Sequence, residues 1–260
     1  MPHVSFSELK KWKFCPFYHK LTYIDKLKGF EGNAYTAFGS AIHSVCEDLI
    51  INNSKNKTKD LRESFHEYFL KELGSLSKDV IDWKLVESMK TQGDDLVNYI
   101  LPAVKVQFPE GFEVISVEEQ LMVPIEDFKD SSYDFKGYID LVVQTPDGNM
   151  HIIDWKTCSW GWDSRRKTDP MNIYQLIFYK KFWAQKHDID PKNIITYFAL
   201  LKRTAKKNKV EFVKVTSGSK RTQNAFNFMT TAMFNINAKN FIKNRLSCNK
   251  CEFRRTEHCP

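Results

Sequence analysis

The sequence predicts an α/β fold: a central mixed β-sheet flanked by helices, with a helical N-terminal part and a cysteine-rich C-terminal segment. Three observations support this prediction. Apolar residues recur at helical spacing through roughly the first 110 positions. In the strands predicted between residues 111 and 217 they mostly alternate with polar ones, which is typical of strands that bury one face. Finally, three of the six cysteines lie after residue 247.

Length and composition are those of an ordinary soluble protein. The 260 residues predict a single domain, with a helical front at 1–110, a sheet at 111–217 and a final helix and tail at 218–260. A membrane protein is excluded because no apolar run reaches about 18–20 residues. We expect a cytoplasmic location, where cysteines stay reduced, because no signal peptide is evident. The net charge of +7 is compatible with an anionic partner.

Helices are predicted from caps and apolar spacing. Ser5 and Glu8 fit a capping box, so a helix begins there. Phe38, Ile42, Val45 and Leu49, spaced by four, three and four residues, form one stripe of an amphipathic helix over 33–50. A polar loop is predicted at 52–60. Further helices are predicted at 60–73, 79–106, 170–187 and 219–243.

Strands are predicted where the apolar period changes to two. In the strand predicted at 112–124, Ile115, Val117, Leu121 and Val123 share one face, and Glu119 lies among them. An Asp-Gly pair at 147–148 predicts a hairpin between the next two strands. The remaining strands are predicted at 133–144, 150–156, 193–201 and 209–216.

Two carboxylates and a lysine are predicted to meet on this hairpin. Asp154 and Lys156 are two residues apart and therefore point to the same face, and Asp140 lies on the neighbouring strand. Close carboxylates repel each other unless a cation holds them, and hard oxygen ligands favour Mg²⁺ or Mn²⁺. Taken alone, such a short motif is more often a simple ion pair, so its neighbours decide the interpretation.

Other polar residues are placed to join this group. His43 lies off the apolar stripe of its helix and is free to face a site, although alone it fits a surface histidine. Gln175 and Tyr179, four residues apart, share one face of a helix. Glu119 is either a carboxylate on a buried face, paired with a metal or a lysine, or a residue that reaches solvent at a strand end.

In chain order, Gly39…His43, Gly137-x-x-Asp140, Asp154-x-Lys156 and Gln175-x-x-x-Tyr179 resemble the motifs of the RecB-like branch of the PD-(D/E)XK nuclease superfamily. The resemblance implies a restriction-endonuclease-like fold. It also implies a metal-dependent DNA nuclease, an exonuclease or end-processing enzyme of recombination or repair that hydrolyses phosphodiester bonds with a metal-activated water.

The resemblance also implies roles for individual residues. His43, Asp140, Asp154 and the carbonyl of Trp155 would hold one or two Mg²⁺ or Mn²⁺ ions, with Glu119 as a further carboxylate. Lys156 would assist the attacking water. Gln175 and Tyr179 would position DNA or support the carboxylates.

Four cysteines lie outside this group. Cys248-x-x-Cys251, Cys259 and the distant Cys15 would suit tetrahedral zinc or an iron–sulfur cluster, and their spacing does not decide between the two; His258 is an alternative ligand. The leading Cys-Pro and the trailing trio resemble the AddB nuclease domain and the iron–sulfur CRISPR adaptation nucleases, which implies a structural [4Fe–4S] cluster.

Aromatic and basic residues follow the strand that carries Lys156. Stacking on rings together with phosphate neutralisation is how proteins hold single-stranded nucleic acid. We therefore expect DNA, single-stranded or with a free end, to contact the following residues: Trp160, Trp162, Arg165, Arg166, Lys167 and Tyr179. A helicase or recombination protein is an expected partner, and the lysine-rich composition suggests an AT-rich genome such as that of a phage. Two alternatives remain open: a non-catalytic DNA-binding subunit, and a zinc-clasped RNA-processing nuclease.

Overall fold

A computed structural model of the chain describes residues 2–54, 60–126 and 133–260. The chain forms two compact units. The smaller unit comprises Met1–Glu31, Leu121–Gly137 and Ser217–Pro260, and the larger comprises Gly32–Gln120 and Tyr138–Thr216. That the chain is one nuclease domain stays a prediction. Within the described residues, no helix is both long enough and apolar enough to cross a membrane.

The predicted elements occur in the predicted order, and the structure adds a short strand at His3–Ser5 and short helices at Pro16–His19 and Ser164–Thr168. The strands, β1 to β6, are His3–Ser5, Glu113–Pro124, Asp134–Gln144, Met150–Cys158, Ile194–Lys202 and Val210–Val215. The helices, α1 to α9, are Phe6–Phe14, Pro16–His19, Ala34–Ser54, Leu61–Gly74, Trp83–Leu96, Ile100–Gln107, Ser164–Thr168, Pro170–His187 and Ser219–Asn237. A π-helical turn follows α2 at Lys20–Ile24, and short 3₁₀ turns occur at Lys78–Val80, Val97–Tyr99, Pro191–Asn193 and Arg245–Lys250.

The larger unit contains a mixed sheet in the order β3-β4-β5-β6, and β2 also pairs with β3. β4 is parallel to β5 and antiparallel to β3, and β6 is antiparallel to β5. Leu141 pairs with Ile153, so Asp140 and Asp154 lie one position further along neighbouring strands. The prediction of a mixed sheet with helices packed on it is confirmed.

The core of the larger unit lies between this sheet and helices α3 to α6. The predicted stripe of α3 is confirmed, since Phe38, Ile42, Val45 and Leu49 are all buried. Trp155 enters this core from β4. Its two chain neighbours therefore point to the opposite face of the sheet, because side chains alternate along a strand. This alternation places Asp154 and Lys156 together.

Several helix boundaries differ from the predictions, and the helix predicted at 79–106 begins only at Trp83. The helix predicted at 79–106 is interrupted by the turn at Val97–Tyr99. Pro102 explains this break, because proline lacks the amide that would bond to the preceding turn. α3 continues to Ser54, so the first residues of the predicted loop are helical, while 55–59 lie outside the described residues. α9 ends at Asn237, before the predicted end at 243.

Strand β2 does not keep a single alternating pattern. Leu121 and Val123 are buried as predicted, but Ile115 is 39% exposed, so its predicted place on the same buried face is wrong. The cause is local: Glu118 has a φ of 48°, in the left-handed region that a regular strand does not use. Such a residue shifts the side chains that follow it to other directions, as in a β-bulge.

In the smaller unit, β1 pairs in parallel with the start of β3. Ser5 caps α1, since its Oγ accepts a hydrogen bond from the Glu8 amide at 3.2 Å. Only this one of the two hydrogen bonds of the predicted capping box forms, because the Glu8 carboxylate pairs with His19 Nε2 at 2.8 Å. A small core of Cys15, Tyr18, Leu21 and Phe253 joins the two chain ends in this unit.

Candidate metal centre

Three side chains from three elements of the larger unit meet at one point. α3 carries His43, β2 carries Glu118 and β3 carries Asp140. One ligand atom from each lies within 4.8 Å of the other two. An imidazole and two carboxylates this close together form a donor set that a metal ion can occupy.

His43 is available as a ligand. Its Nδ1 lies 3.7 Å from Asp140 Oδ2. Burial lowers the pKa of His43 by more than the nearby Asp154 carboxylate raises it. The ring is therefore neutral near pH 7, and only a neutral imidazole nitrogen binds a metal. His43 also makes a hydrogen bond with the backbone of Trp155, whose carbonyl was predicted to be a ligand.

The carboxylates of this group have raised pKa values, so a bound cation would help them to ionise. Burial raises the pKa of Asp140 well above its usual value, and the charge of Asp154 raises it further. Burial also raises the pKa of Glu118. Asp140 Oδ2 accepts a hydrogen bond from the Trp155 amide at 2.6 Å, which fixes its orientation. Because these carboxylates repel one another, a divalent cation would allow them to ionise together.

Asp154 and Lys156 lie beside this group on β4. Lys156 Nζ is 2.5 Å from Asp154 Oδ2, so the predicted placement on one face is confirmed. Asp154 is 2% exposed. Its Oδ1 accepts a hydrogen bond from Gln175 at 2.9 Å. Its Oδ2, although close to the ammonium group, has no hydrogen bond of normal geometry within the described residues. A buried oxygen in this condition is a suitable cation ligand.

Helix α8 supports Asp154 from one side of the sheet. Gln175 Nε2 lies 2.9 Å from Asp154 Oδ1 and 3.2 Å from the Tyr179 hydroxyl. Burial raises the pKa of Tyr179, so the hydroxyl stays protonated. Tyr179 is only 7% exposed, which corrects its prediction as a DNA contact. Of the two implied roles for this pair, the geometry favours support of the carboxylate.

Glu119 does not join the group, and its prediction as a metal ligand is corrected to Glu118. Its carboxylate instead accepts hydrogen bonds from four side chains: Ser116, Trp183, Lys186 and His187. Burial would raise the pKa of Glu119, but these donors lower it to about 2. Strict alternation along β2 predicts that Glu119 faces the candidate metal centre. The left-handed backbone at Glu118 instead brings Glu118 to that position.

A second acidic residue was not predicted. Glu47 lies one helical turn after His43, and its carboxyl group makes a hydrogen bond with Glu118. Burial raises the pKa of Glu47 to about 7, and the charge of Glu118 adds to the effect. The spacing of four residues from His43 is a signal that places both side chains on one face of α3.

The basic loop after β4 is only partly as predicted. Trp160 is 74% exposed, but Trp162 is 7% exposed and packs 5.0 Å from Phe198, so its prediction as a stacking platform is wrong. Arg166 covers the Trp162 ring at 4.8 Å. Lys167 pairs with Glu211 at 2.5 Å. Arg165 is exposed.

The four cysteines predicted as cluster ligands all lie in the smaller unit. Cys15, Cys251 and Cys259 contribute to its small core beside Tyr18 and Phe253. The amide of Asn244 donates a hydrogen bond to Cys15 Sγ at 3.2 Å. Burial raises the pKa of Cys251, and the nearby Cys259 thiol adds to this rise. The other two cysteines, Cys46 and Cys158, are buried and half-buried in the larger unit, as expected of ordinary residues near the core.

The donor set fits a small divalent cation. The oxygens of Glu118, Asp140 and Asp154 are the ligands that Mg²⁺ and Mn²⁺ prefer, and the neutral His43 nitrogen is compatible with Mn²⁺. Burial makes Asp140 and Glu118 hard to ionise without a cation beside them, and Asp154 Oδ2 has Lys156 as its ion-pair partner but no hydrogen bond of normal geometry within the described residues.

Comparison with known proteins identifies the family. No curated protein matches the chain. A solved structure described as "Crystal structure of SSO0001" is similar at 14% identity and a TM-score of 0.38, covering 65% of this chain and 74% of that one. A likeness this weak carries no weight. The model of the PD-(D/E)XK nuclease superfamily, in contrast, matches residues 3–259, which is nearly the whole length. With this coverage, the chain belongs to the PD-(D/E)XK nuclease superfamily.

Proposed function

We propose that this nuclease is a Mg²⁺- or Mn²⁺-dependent deoxyribonuclease that processes DNA ends in recombination or repair. The observation that carries the proposal is the convergence of His43, Glu118 and Asp140 within 4.8 Å, beside the Asp154–Lys156 pair. His43, Glu118, Asp140 and Asp154, with the carbonyl of Trp155, would hold the metal. Family membership supports a nuclease; the choice of DNA and the action at strand ends are our proposal.

The protein side chains divide the chemistry between them. When bound, the divalent ion supplies Lewis acidity toward the phosphate and lowers the pKa of a coordinated water. Lys156 is placed to neutralise negative charge that develops on the phosphate, because its ammonium group lies at the edge of the carboxylate group and is 30% exposed. Gln175 keeps Asp154 in one orientation through the bond at 2.9 Å. Tyr179, protonated and buried, holds Gln175 in turn.

The loop after β4 is the proposed DNA contact. Trp160 and Arg165 face solvent four and nine residues after Lys156. Arg166 and Lys167 add positive charge there, although both also have partners within the protein. Cations near a catalytic lysine attract the phosphate backbone without regard to base sequence.

The proposal is tested by digestion of four substrates: linear single strands, blunt duplexes, circular DNA and RNA of matched sequence. We expect DNA with free ends to be degraded in Mg²⁺ or Mn²⁺, and no degradation in EDTA. Asp154→Asn and Lys156→Ala should abolish cleavage, while Lys181→Ala, an exposed lysine on α8, should leave it unchanged.

The other outcomes have definite meanings. Cleavage of RNA alone would support the RNA-processing alternative. DNA binding without cleavage by the wild-type protein would identify a non-catalytic subunit that serves a helicase or recombination complex. Equal cleavage of circular and linear DNA would refute action at ends. Unchanged cleavage by Asp154→Asn in a pure preparation would refute the assigned site.

We also propose that Cys15, Cys248, Cys251 and Cys259 hold a structural [4Fe–4S] cluster, with Zn²⁺ as the alternative. Support comes from their common location in the smaller unit and from the Asn244 amide that bonds to Cys15 Sγ, since amide donors to sulfur are common around iron–sulfur clusters. Such a cross-link would join residues more than 200 positions apart and restrict the unfolded chain.

Metal analysis tests the cluster directly. Protein purified without oxygen should be brown, absorb near ~400 nm and contain iron and sulfide. Cys251→Ser should lose the colour, whereas Cys158→Ser in the larger unit should keep it. A colourless protein with one equivalent of zinc would establish the alternative.

A further inference from the structure

We propose that Tyr35, Trp160 and Arg203 form a platform that binds an unpaired nucleotide strand next to the metal centre. The inference deepens the proposed function and rests on it, because it specifies which form of nucleic acid reaches the site. None of these three residues belongs to the metal-binding group. All of them lie in the larger unit.

Arg203 is the centre of the platform. Its guanidinium group donates to the Gln92 side chain through one nitrogen and to Ser159 Oγ, at 2.9 Å, through the other. It also lies 5.2 Å from the centre of the Tyr35 ring. A single arginine thus joins α3, α5 and the loop after β4. A cation fixed in this way keeps its charge at the surface without the entropy cost of ordering a free side chain on binding.

Two exposed aromatic residues are linked to this arginine: Tyr35, whose ring it covers, and Trp160, the chain neighbour of the Ser159 that it contacts. Tyr35 is 51% exposed and Trp160, next to Ser159, is 74% exposed. Tyr35 is held at the start of α3 because Asn33 Oδ1 caps the helix, accepting from the amides of Tyr35 and Thr36 at 2.9 and 3.2 Å. Exposed rings on fixed backbone offer faces to bases, and each stacked base adds substantially to the affinity.

Helix α3 and strand β4 both connect the platform to the metal centre. Tyr35 precedes His43 by eight residues on α3, which is about 12 Å along a helix axis. Ser159 follows Lys156 by three residues on the other side. The two elements run close together between these points, since a side-chain carbon added at Gly39 would lie 3.3 Å from Thr157 Oγ1. A strand on the platform therefore reaches the metal centre within a few nucleotides.

The surrounding charges favour a phosphate backbone. Lys206 and Lys207 are exposed in the loop that follows Arg203. The nearby carboxylate of Glu211 is already paired with Lys167 and Lys202, so it does not repel an anion strongly. The rings select for unpaired nucleotides, because the bases of a duplex are stacked on each other and cannot lie against a side chain.

Binding without catalysis tests the inference. Fluorescence anisotropy in EDTA would compare a labelled oligo-dT strand with a blunt duplex of equal length. We expect Tyr35→Ala and Trp160→Ala each to weaken single-strand binding roughly tenfold, a typical effect of losing one stacked base. Duplex binding should remain as in the wild type. Tyr35→Phe and Trp160→Phe, which keep a ring, should bind the single strand normally.

A matched control excludes a general effect of removing exposed rings. Trp83 on α5 is 59% exposed and takes no part in the platform, so Trp83→Ala should leave single-strand binding unchanged. The platform is refuted if Tyr35→Ala and Trp160→Ala bind the single strand like the wild type, or lose single-strand and duplex binding equally. This binding assay needs no cleavage, so weaker single-strand binding by folded Tyr35→Ala and Trp160→Ala would support the platform even if the wild-type protein cleaves nothing. The platform and the proposed nuclease activity can therefore be refuted independently.

Discussion

The carboxylate of Glu119 accepts a hydrogen bond from the indole of Trp183 at 2.8 Å. Glu119 directly follows Glu118, the glutamate of the candidate metal centre. With Lys186 and His187, Trp183 fastens β2 to α8 at this point. The neighbouring Glu118 is thereby held in a backbone conformation that directs its side chain toward His43 and Asp140.

Glu119→Gln should weaken both the fold and the metal site. The substitution removes the negative charge to which Lys186 and His187 are bonded, at a cost of about 1–3 kcal/mol in the free energy of unfolding. The affinity for Mn²⁺, measured by calorimetry, should fall by up to about tenfold, as for other residues that support ligands indirectly. Glu113→Gln on the exposed part of β2 is the control. Unchanged Mn²⁺ affinity would limit Glu119 to a role in stability.

Gln175→Ala should reduce the rate of cleavage more than substrate binding. Its amide donates to Asp154 Oδ1, so its loss frees the carboxylate to rotate away from the metal position. We expect kcat to fall roughly 10–100-fold with a nearly constant KM for DNA. Tyr179→Phe, which removes only the hydroxyl beside Gln175, should have a smaller effect in the same direction. A raised KM with normal kcat would instead make Gln175 a DNA contact.

The stability of the metal-free protein should depend on the proton of Glu47. Burial raises the pKa of Glu47 from 4.5 to about 7, so the folded state binds a proton that the unfolded chain releases. Stability from this group is complete below about pH 4.5 and declines as the pH rises to about 7. Thermal melts in EDTA should show Glu47→Gln with a flatter profile and a higher melting temperature at pH 8.

The control for this measurement is Glu87→Gln, an exposed glutamate on α5. It should keep the pH profile of the wild type. Added Mn²⁺ should raise the melting temperature of the wild type at pH 8, by mass action on the folded state. A Glu47→Gln profile as steep as that of the wild type would contradict the role of this proton.

Much of the site was predictable because strand geometry is simple. Residues two apart share a face, and antiparallel neighbours meet in register; these rules place Asp154 with Lys156 and bring Asp140 alongside. The apolar stripe of α3 likewise predicts that His43, which lies off it, points away from the core. The central elements of the fold follow from the same two periodicities, since both are local properties of the chain.

The predictions are wrong where a single torsion angle or a residue distant in sequence determines which way a side chain points. Glu118 and Glu119 are chemically identical, and a φ of 48° determines which one faces the metal centre. Trp160 and Trp162 are equally apolar, but only Trp162 finds a partner in Phe198 on β5. The sequence likewise does not reveal that Lys202 and Lys209 are buried and paired with Glu211 and Asp95. Such pairings depend on the tertiary structure.

The left-handed backbone at Glu118 implies a conflict between folding and activity at one residue. A side chain other than glycine in this region costs about 1 kcal/mol or more, and a glycine avoids the cost. Glu118→Gly should therefore give a metal-free protein at least as stable as Glu118→Ala, and both should bind Mn²⁺ poorly. A glycine would fold more easily at this position, so the glutamate lowers stability while it supplies a carboxylate to the candidate metal site.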